Sequence, residues 1–211
     1  GQYTHLVFTG CGSPYYSSVS AALIWQGMTG VPAFARPASE VWLSPDDLPR
    51  LPGRGLLVVS SRSGETSESV RACDTFRKSG RGDVLYIGCF PGRSLEAYSD
   101  YTLLIPEAQE ESTAQTRALS TMYLATTGLA LIGANRRGDL AELGKLTPAA
   151  QRMLQESGAL ALSIGAALGI TFPFSLPHKD FHRNSGIFAE LDEAPDGRLL
   201  SEAEWTHQHK N

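Results

Sequence analysis

A three-layer α-β-α sandwich around a parallel sheet of mostly five strands is the fold class that this sequence predicts. Three observations carry the expectation. Short apolar runs recur along the first two-thirds of the chain, helix-patterned segments lie between them, and the runs are apolar throughout instead of alternating with polar residues. Strands of that kind need a helical layer on each side, which is the parallel α/β arrangement. With 211 residues, 42% of them hydrophobic and 19% charged, the chain can bury one substantial core, as one or two domains.

The elements follow in order. Residues 5–9 (HLVFT) read as a buried strand, with a helix expected over residues 15–28. Residues 31–36 form a second, weaker strand. Residues 56–60 (LLVVS) are the clearest strand, and the helix over residues 66–78 places Val70, Cys73, Phe76 and Arg77 at helical spacing. Residues 84–89 (VLYIGC) and 101–105 (YTLLI) complete the five strands, and a long helix over residues 113–133 closes the set. Arg136-Arg137-Gly138-Asp139 reads as a connector. Thr147-Pro148 reads as an N-cap followed by Pro in the first turn of a helix over residues 148–168. Residues 170–176 are an edge strand or a loop, because Pro173 lacks the N–H that a central strand needs. Right-handed crossovers put every strand-to-helix loop on one edge of the sheet, so a ligand is expected at the carboxyl ends of the strands.

Composition excludes several partners. The net charge of −4 argues against a nucleic-acid surface, which selects for clustered Lys and Arg. A single phosphate is still compatible, because backbone N–H groups at helix N-termini bind one without a basic surface. No apolar run approaches the roughly 20 residues that cross a bilayer. No basic segment precedes the first apolar run as in a signal peptide, so no membrane and a cytoplasmic location are expected. The abrupt beginning, a few residues before the first strand, suggests a trimmed or processed start. Cys11, Cys73 and Cys89 are odd in number and lack CxxC spacing, so they read as three buried, reduced thiols.

Three loops carry chemistry. Ser61-Arg62-Ser63-Gly64-Glu65-Thr66 lies between the best strand and a helix, where backbone N–H groups are unpaired at a positive dipole end. Ser61, Ser63 and Thr66 add three hydroxyls, and Gly64 removes the Cβ that blocks close backbone approach. That is an anion cradle. The plainer alternative is a helix cap at Ser63 or Thr66. Gly10-Cys11-Gly12-Ser13-Pro14 is also a strand-to-helix loop. It fails as a dinucleotide fingerprint, since Tyr15 stands at the third glycine and no acidic residue ends the next strand. A Walker A loop is excluded because no Gly-Lys-Ser/Thr occurs. The third loop, residues 107–117, carries acids that either satisfy the dipole of the following helix or face a sugar's hydroxyls.

Taken in order, these motifs resemble the sugar isomerase (SIS) domain family. The carriers are a Gly-x-Gly-Ser loop, Ser-x-Ser-Gly-Glu-Thr after an apolar strand, and Glu-x-x-x-Ala-x-Thr-Arg-Ala opening a long helix. The spacing is most similar to the isomerase half of glucosamine-6-phosphate synthase and to tagatose-6-phosphate ketose/aldose isomerases. The resemblance covers residues 3–135 and implies a flavodoxin-like SIS sandwich. Its implied phosphosugar-binding residues are Cys11, Gly12, Ser13, Ser61, Arg62, Ser63, Gly64, Thr66, Thr113, Ala114 and Gln115. Residues 88–95 (GCFPGRSL) match the family's turn after the fourth strand. Arg62 stands where synthases usually carry Gln, and Pro14 replaces a common Ser.

Residues 1–135 are accordingly expected to be the SIS domain, and residues 136–211 a linker helix with a C-terminal segment that is a truncated or divergent second half. No second Ser-x-Ser-Gly occurs, and none of the His-Gly-Pro text that accompanies sugar-ring opening. The resemblance implies an aldose–ketose or deaminating isomerase acting on a hexose or hexosamine 6-phosphate, without metal or cofactor. Glu110 is the local candidate for a catalytic carboxylate. The alternative is a non-catalytic phosphosugar sensor. A homodimer is expected, since the helices carry more apolar surface than one thin sheet covers. Four of the five histidines, His178, His182, His207 and His209, lie in the polar tail, where they read as solvated surface groups in preference to metal ligands.

Overall fold

The computed structural model describes residues 2–49, 51–112 and 115–167. Five strands, β1 (His5–Gly10), β2 (Ala33–Pro37), β3 (Gly55–Ser60), β4 (Gly82–Gly88) and β5 (Tyr101–Leu104), form one sheet in the order β2-β1-β3-β4-β5. Every pairing is parallel. The helices are α1 (Ser13–Thr29), α2 (Ala38–Leu43), α3 (Ser67–Lys78), α4 (Ser94–Ala97), α5 (Thr116–Gly133), α6 (Leu140–Leu143) and α7 (Leu146–Ala167). The chain divides into two units. Gly1–Gln109 with Thr116–Arg152 carries the sheet, and Glu110–Gln115 groups with Met153–Asn211, whose described part is most of α7.

The two faces of the sheet explain the unbroken apolar runs. Side chains alternate along a strand, so Leu6, Phe8, Leu56, Val58 and Ile87 face one layer, where Ala21 and Ala22 of α1 meet Ala118 and Met122 of α5. Val7, Leu57, Val59, Val84 and Tyr86 face the other, against Val41 of α2, Ala72, Cys73 and Phe76 of α3, and Leu95 of α4. All residues of β1 and β3 are buried. The edge strand β5 differs: Tyr101 is 48% and Leu103 39% exposed. Its apolar text is not burial on both faces.

Several boundaries depart from the sequence reading. Helices α2 and α4 span six and four residues, too short to show a helical period, and went unforeseen. Helix α5 begins at Thr116, not residue 113, because Gln115 has a φ of 53°, a left-handed conformation that a helix cannot contain. Its first turn holds no acidic residue. Helix α7 starts at Leu146, which puts Pro148 inside the first turn, where its missing N–H is tolerated. The edge strand considered at residues 170–176 and the four tail histidines lie outside the described residues.

The amino edge of the sheet carries a polar cluster. Tyr3 Oη and Arg54 Nη2 donate to the two carboxylate oxygens of Asp83, each at 2.5 Å. Burial alone raises the Asp83 carboxyl, but the hydrogen bonds from Tyr3 and Arg54 outweigh it and hold the group below its ordinary range. Burial, with the Arg81 charge, lowers the nearby His5 imidazole. Both native groups therefore bind protons less readily than the unfolded chain, so stability falls as the pH is lowered. The His5 contribution is whole above about pH 6.5 and fades below it, and that of Asp83 fades below about pH 3.9. Asp83→Asn is expected to cost about 1–2 kcal/mol at pH 7. In urea titrations that cost should shrink below about pH 4; a cost independent of pH would disprove the assignment.

Candidate functional site

The strand order places a crevice. The chain leaves β1 toward β2 on one side, while β3 lies on the other, so the crossovers diverge at the carboxyl ends of β1 and β3. Thr9 of β1 lies beside Val59 of β3, and both strands end within a residue or two of that level. The loop holding Cys11, Gly12 and Ser13 and the loop holding Ser61 to Thr66 thus rise from neighbouring strands.

The first loop is a tight turn into α1. A Cβ on Gly10 would meet Pro14 Cβ at 2.7 Å, and Gly12 takes a φ of 66°. Gly12 is the N-cap and supplies no side-chain hydrogen bond, Pro14 sits in the first turn, and no acidic residue is there. Cys11, Gly12 and Ser13 are exposed. This corrects the expectation of three buried thiols: Cys73 and Cys89 are buried, Cys11 is not. Partial desolvation, and then the Glu68 charge, raise the Cys11 thiol, which disfavours a nucleophilic thiolate. Burial pushes Cys73 up to about 12.

In the second loop the hydroxyls divide their work. Ser61 is 4% exposed, and its Oγ accepts from the Gly64 N–H at 3.2 Å. Ser63 Oγ accepts from the Glu65 N–H at 3.3 Å, and each hydroxyl keeps its own proton to donate. Thr66 occupies the N-cap of α3 without a side-chain capping bond, so the helix-cap alternative does not account for its hydroxyl. Gly64 has a φ of 68°, and a Cβ there would come within 2.6 Å of Tyr86 Oη and 2.7 Å of Arg93 Cβ. Inward packing by itself therefore requires a glycine here, beside the close ligand approach expected from the sequence.

A third strand-to-helix loop, residues 89–93, supports the second. Ser61 N–H donates to Ile87 O at 3.0 Å, Cys89 N–H to Arg62 O at 3.3 Å, and Leu95 N–H to Gly64 O at 3.0 Å. The buried Tyr86 phenol donates to Ser61 O at 3.2 Å. Burial raises that phenol, so it remains a protonated donor. Tyr86, Glu65 and Ser94 were missed by sequence reasoning. A tyrosine interrupting an otherwise aliphatic strand was the available signal.

Glu110 is buried, and with Gln115 it belongs to the second unit. Thr113 and Ala114 lie outside the described residues. Among the described residues no three His, Cys, Asp or Glu side chains converge as metal ligands, and no helix is long and apolar enough to cross a membrane.

Comparison with known proteins agrees with this geometry. The family profile described as the SIS domain matches residues 2–132. The chain belongs to the SIS domain family. The glutamine–fructose-6-phosphate aminotransferase (isomerizing) of Chlamydia muridarum is 29% identical over 132 residues, covering 63% of this chain and 21% of that enzyme. A solved glucosamine-6-phosphate deaminase from Thermotoga maritima superposes with a TM-score of 0.57 at 29% identity, over 63% of this chain and 40% of that one. A separate likeness, 65% identical over 48 residues, is to benzoyl-CoA oxygenase component B of Aromatoleum evansii, and covers 23% of this chain and 10% of that protein. The chain therefore spans about a fifth of the aminotransferase and a tenth of the oxygenase component. In this SIS domain the Tyr86 hydroxyl should matter to stability: Tyr86→Phe leaves Ser61 O without its donor and should cost about 1 kcal/mol in denaturant unfolding.

Proposed function

We propose that this SIS domain binds a sugar phosphate in the crevice between the β1 and β3 loops, the phosphate lying against Ser61, Ser63, Thr66 and the N-terminus of α3. Cys11, Gly12, Ser13, Arg62 and Gly64 complete its walls. The observation that carries the reading is the opening of two helix N-termini, α1 and α3, onto one edge of the sheet, neither closed by a capping side chain. Their N–H groups and positive dipole ends suit a phosphate.

The chemistry proposed for the whole protein is aldose–ketose or deaminating isomerisation of a hexose or hexosamine 6-phosphate, in keeping with the names of its relatives. After ring opening, a base removes the proton at C2 while the C1 carbonyl oxygen takes one. For a hexose the enediol then loses its C2 hydroxyl proton and regains a proton at C1; for a hexosamine the C2 enolamine becomes an imine, which water hydrolyses to the ketone with release of ammonia, and neither route needs an external oxidant or reductant. Glu110 is the carboxylate assigned to this work. Phosphate contacts bind ground and transition states alike, so the loops alone lower KM without raising kcat. A cytoplasmic, reducing setting suits the free thiols.

A second copy of the chain is the proposed partner. The 17 residues of α1 include no Asp, Glu, Lys, Arg or His, yet Tyr16 is 73% and Leu23 70% exposed. An uncharged face on a chain of net charge −4 can pair with itself without like-charge repulsion.

Three measurements test these statements. Ser63→Ala should weaken calorimetric binding of glucose 6-phosphate about tenfold while leaving any binding of glucose unchanged. Equal loss for both sugars would point to general damage. On the same preparation, NMR of fructose 6-phosphate and glucosamine 6-phosphate should show turnover well below the ordinary enzymatic value of about 10 s⁻¹, and none at all for a pure sensor. Sedimentation at tens of micromolar should give a dimer that Leu23→Glu converts to monomer.

A further inference from the structure

One residue of the 61–66 loop has the wrong charge for the ligand proposed there. Glu65 lies between Gly64 and Thr66, and a carboxylate beside an anion site opposes binding by Coulomb's law. Its oxygens are already engaged. Oε1 accepts from the Ser94 N–H at 3.0 Å and Oε2 from the Ser94 hydroxyl at 2.5 Å. The next N–H along, that of Leu95, donates to Gly64 O at 3.0 Å. Glu96 in turn accepts from Gly92 N–H at 2.6 Å and Arg93 N–H at 3.4 Å, which fixes the segment that Glu65 grips.

We propose that Glu65 is a positioning residue, which through Ser94 holds the 61–66 loop in its anion-ready shape before any ligand arrives. The proposal rests on the reading of that loop as a phosphate site. Glu65 touches no phosphate. The Ser94 side chain, then its backbone N–H, hold the Glu65 carboxyl below its ordinary range, so at neutral pH it is a carboxylate that only accepts. Two effects oppose each other when it is removed. Loss of an exposed, screened charge relieves repulsion only a few-fold. Loss of the clasp makes binding order the loop at the moment of association, which weakens it by about tenfold. The ordering term wins, so the sign of the change is diagnostic.

The test is calorimetry on the full chain with inorganic phosphate and with glucose 6-phosphate, using wild type, Glu65→Ala, Ser94→Ala, the double variant and Glu65→Gln. Glu65→Ala should bind both probes about tenfold more weakly, and Ser94→Ala, which removes one of the two bonds, about threefold. The double variant should lose no more than Glu65→Ala alone, because the two residues act as one contact. Glu65→Gln should recover part of the loss, since its amide oxygen still accepts from Ser94. Tighter or unchanged binding in a folded Glu65→Ala protein overturns the proposal. Hydrogen exchange of residues 61–66 without ligand gives a second reading: faster exchange in Glu65→Ala and Ser94→Ala supports the clasp, and unchanged exchange removes it. Wild type that binds neither probe overturns the phosphate reading, while the exchange rates still decide whether Glu65 orders the loop.

Discussion

The hydrogen bond from the Tyr86 phenol to the Ser61 carbonyl, at 3.2 Å, sets the height of the loop on which the crevice depends. Tyr86 is wholly buried in the layer against α2, α3 and α4, and its ring reaches from β4 to the carboxyl edge. Two glycines make room for it. A Cβ on Gly88 would fall within 1.9 Å of the phenol oxygen, and one on Gly64 within 2.6 Å. With Ser61 O taken from below, Arg62 O and Gly64 O turn sideways to Cys89 and Leu95 N–H. The Ser61, Arg62 and Gly64 carbonyls are thereby occupied by the protein. The Ser61 and Ser63 hydroxyls, each accepting from a loop N–H, keep a proton to donate, the polarity that the proposed anion needs.

An acidic chain can hold an anion because the favourable charges are local and fixed. The first turn of α1 contains no acid, and each helix N-terminus contributes about half an elementary charge where the dipole ends. Glu65 is committed to Ser94, and the Cys11 thiol is raised by partial burial and, second, by the charge of Glu68 in the first turn of α3. A raised Cys11 thiol is poorly suited to act as a nucleophile.

The two edges of the sheet carry different burdens. At the amino edge, Asp83 draws on Tyr3, a neighbour 80 residues distant in sequence, and on Arg54, and thereby ties the start of the chain to β3 and β4. Such contacts resist unfolding. At the carboxyl edge the strands end in glycine-bearing turns with exposed Cys11, Gly12 and Ser13. A parallel sheet permits this separation because its crossovers deliver all strand-to-helix loops to one side.

The five strands, their parallel arrangement and the two strand-to-helix loops were legible in the sequence, because local patterns determine them: continuous apolar runs require cover on both faces, and glycine with hydroxyl residues after a strand marks an open helix N-terminus. Contacts between distant residues were not legible. Nothing local announces that Glu65 meets Ser94, 29 residues away, or that Tyr86 reaches Ser61, 25 residues away. The same holds for Gly64, whose presence in the motif was plain but whose inward constraint, the neighbouring phenol and Arg93, belongs to another strand and another loop. Exposure of β5 and of Cys11 was likewise decided by position at an edge, since an apolar residue type does not specify what covers it. The sequence by itself determined the periodicities and turn chemistry, which act over a few residues. Only the tertiary structure decided which groups satisfy one another across loops, because those pairings depend on register and close packing between elements far apart in the chain.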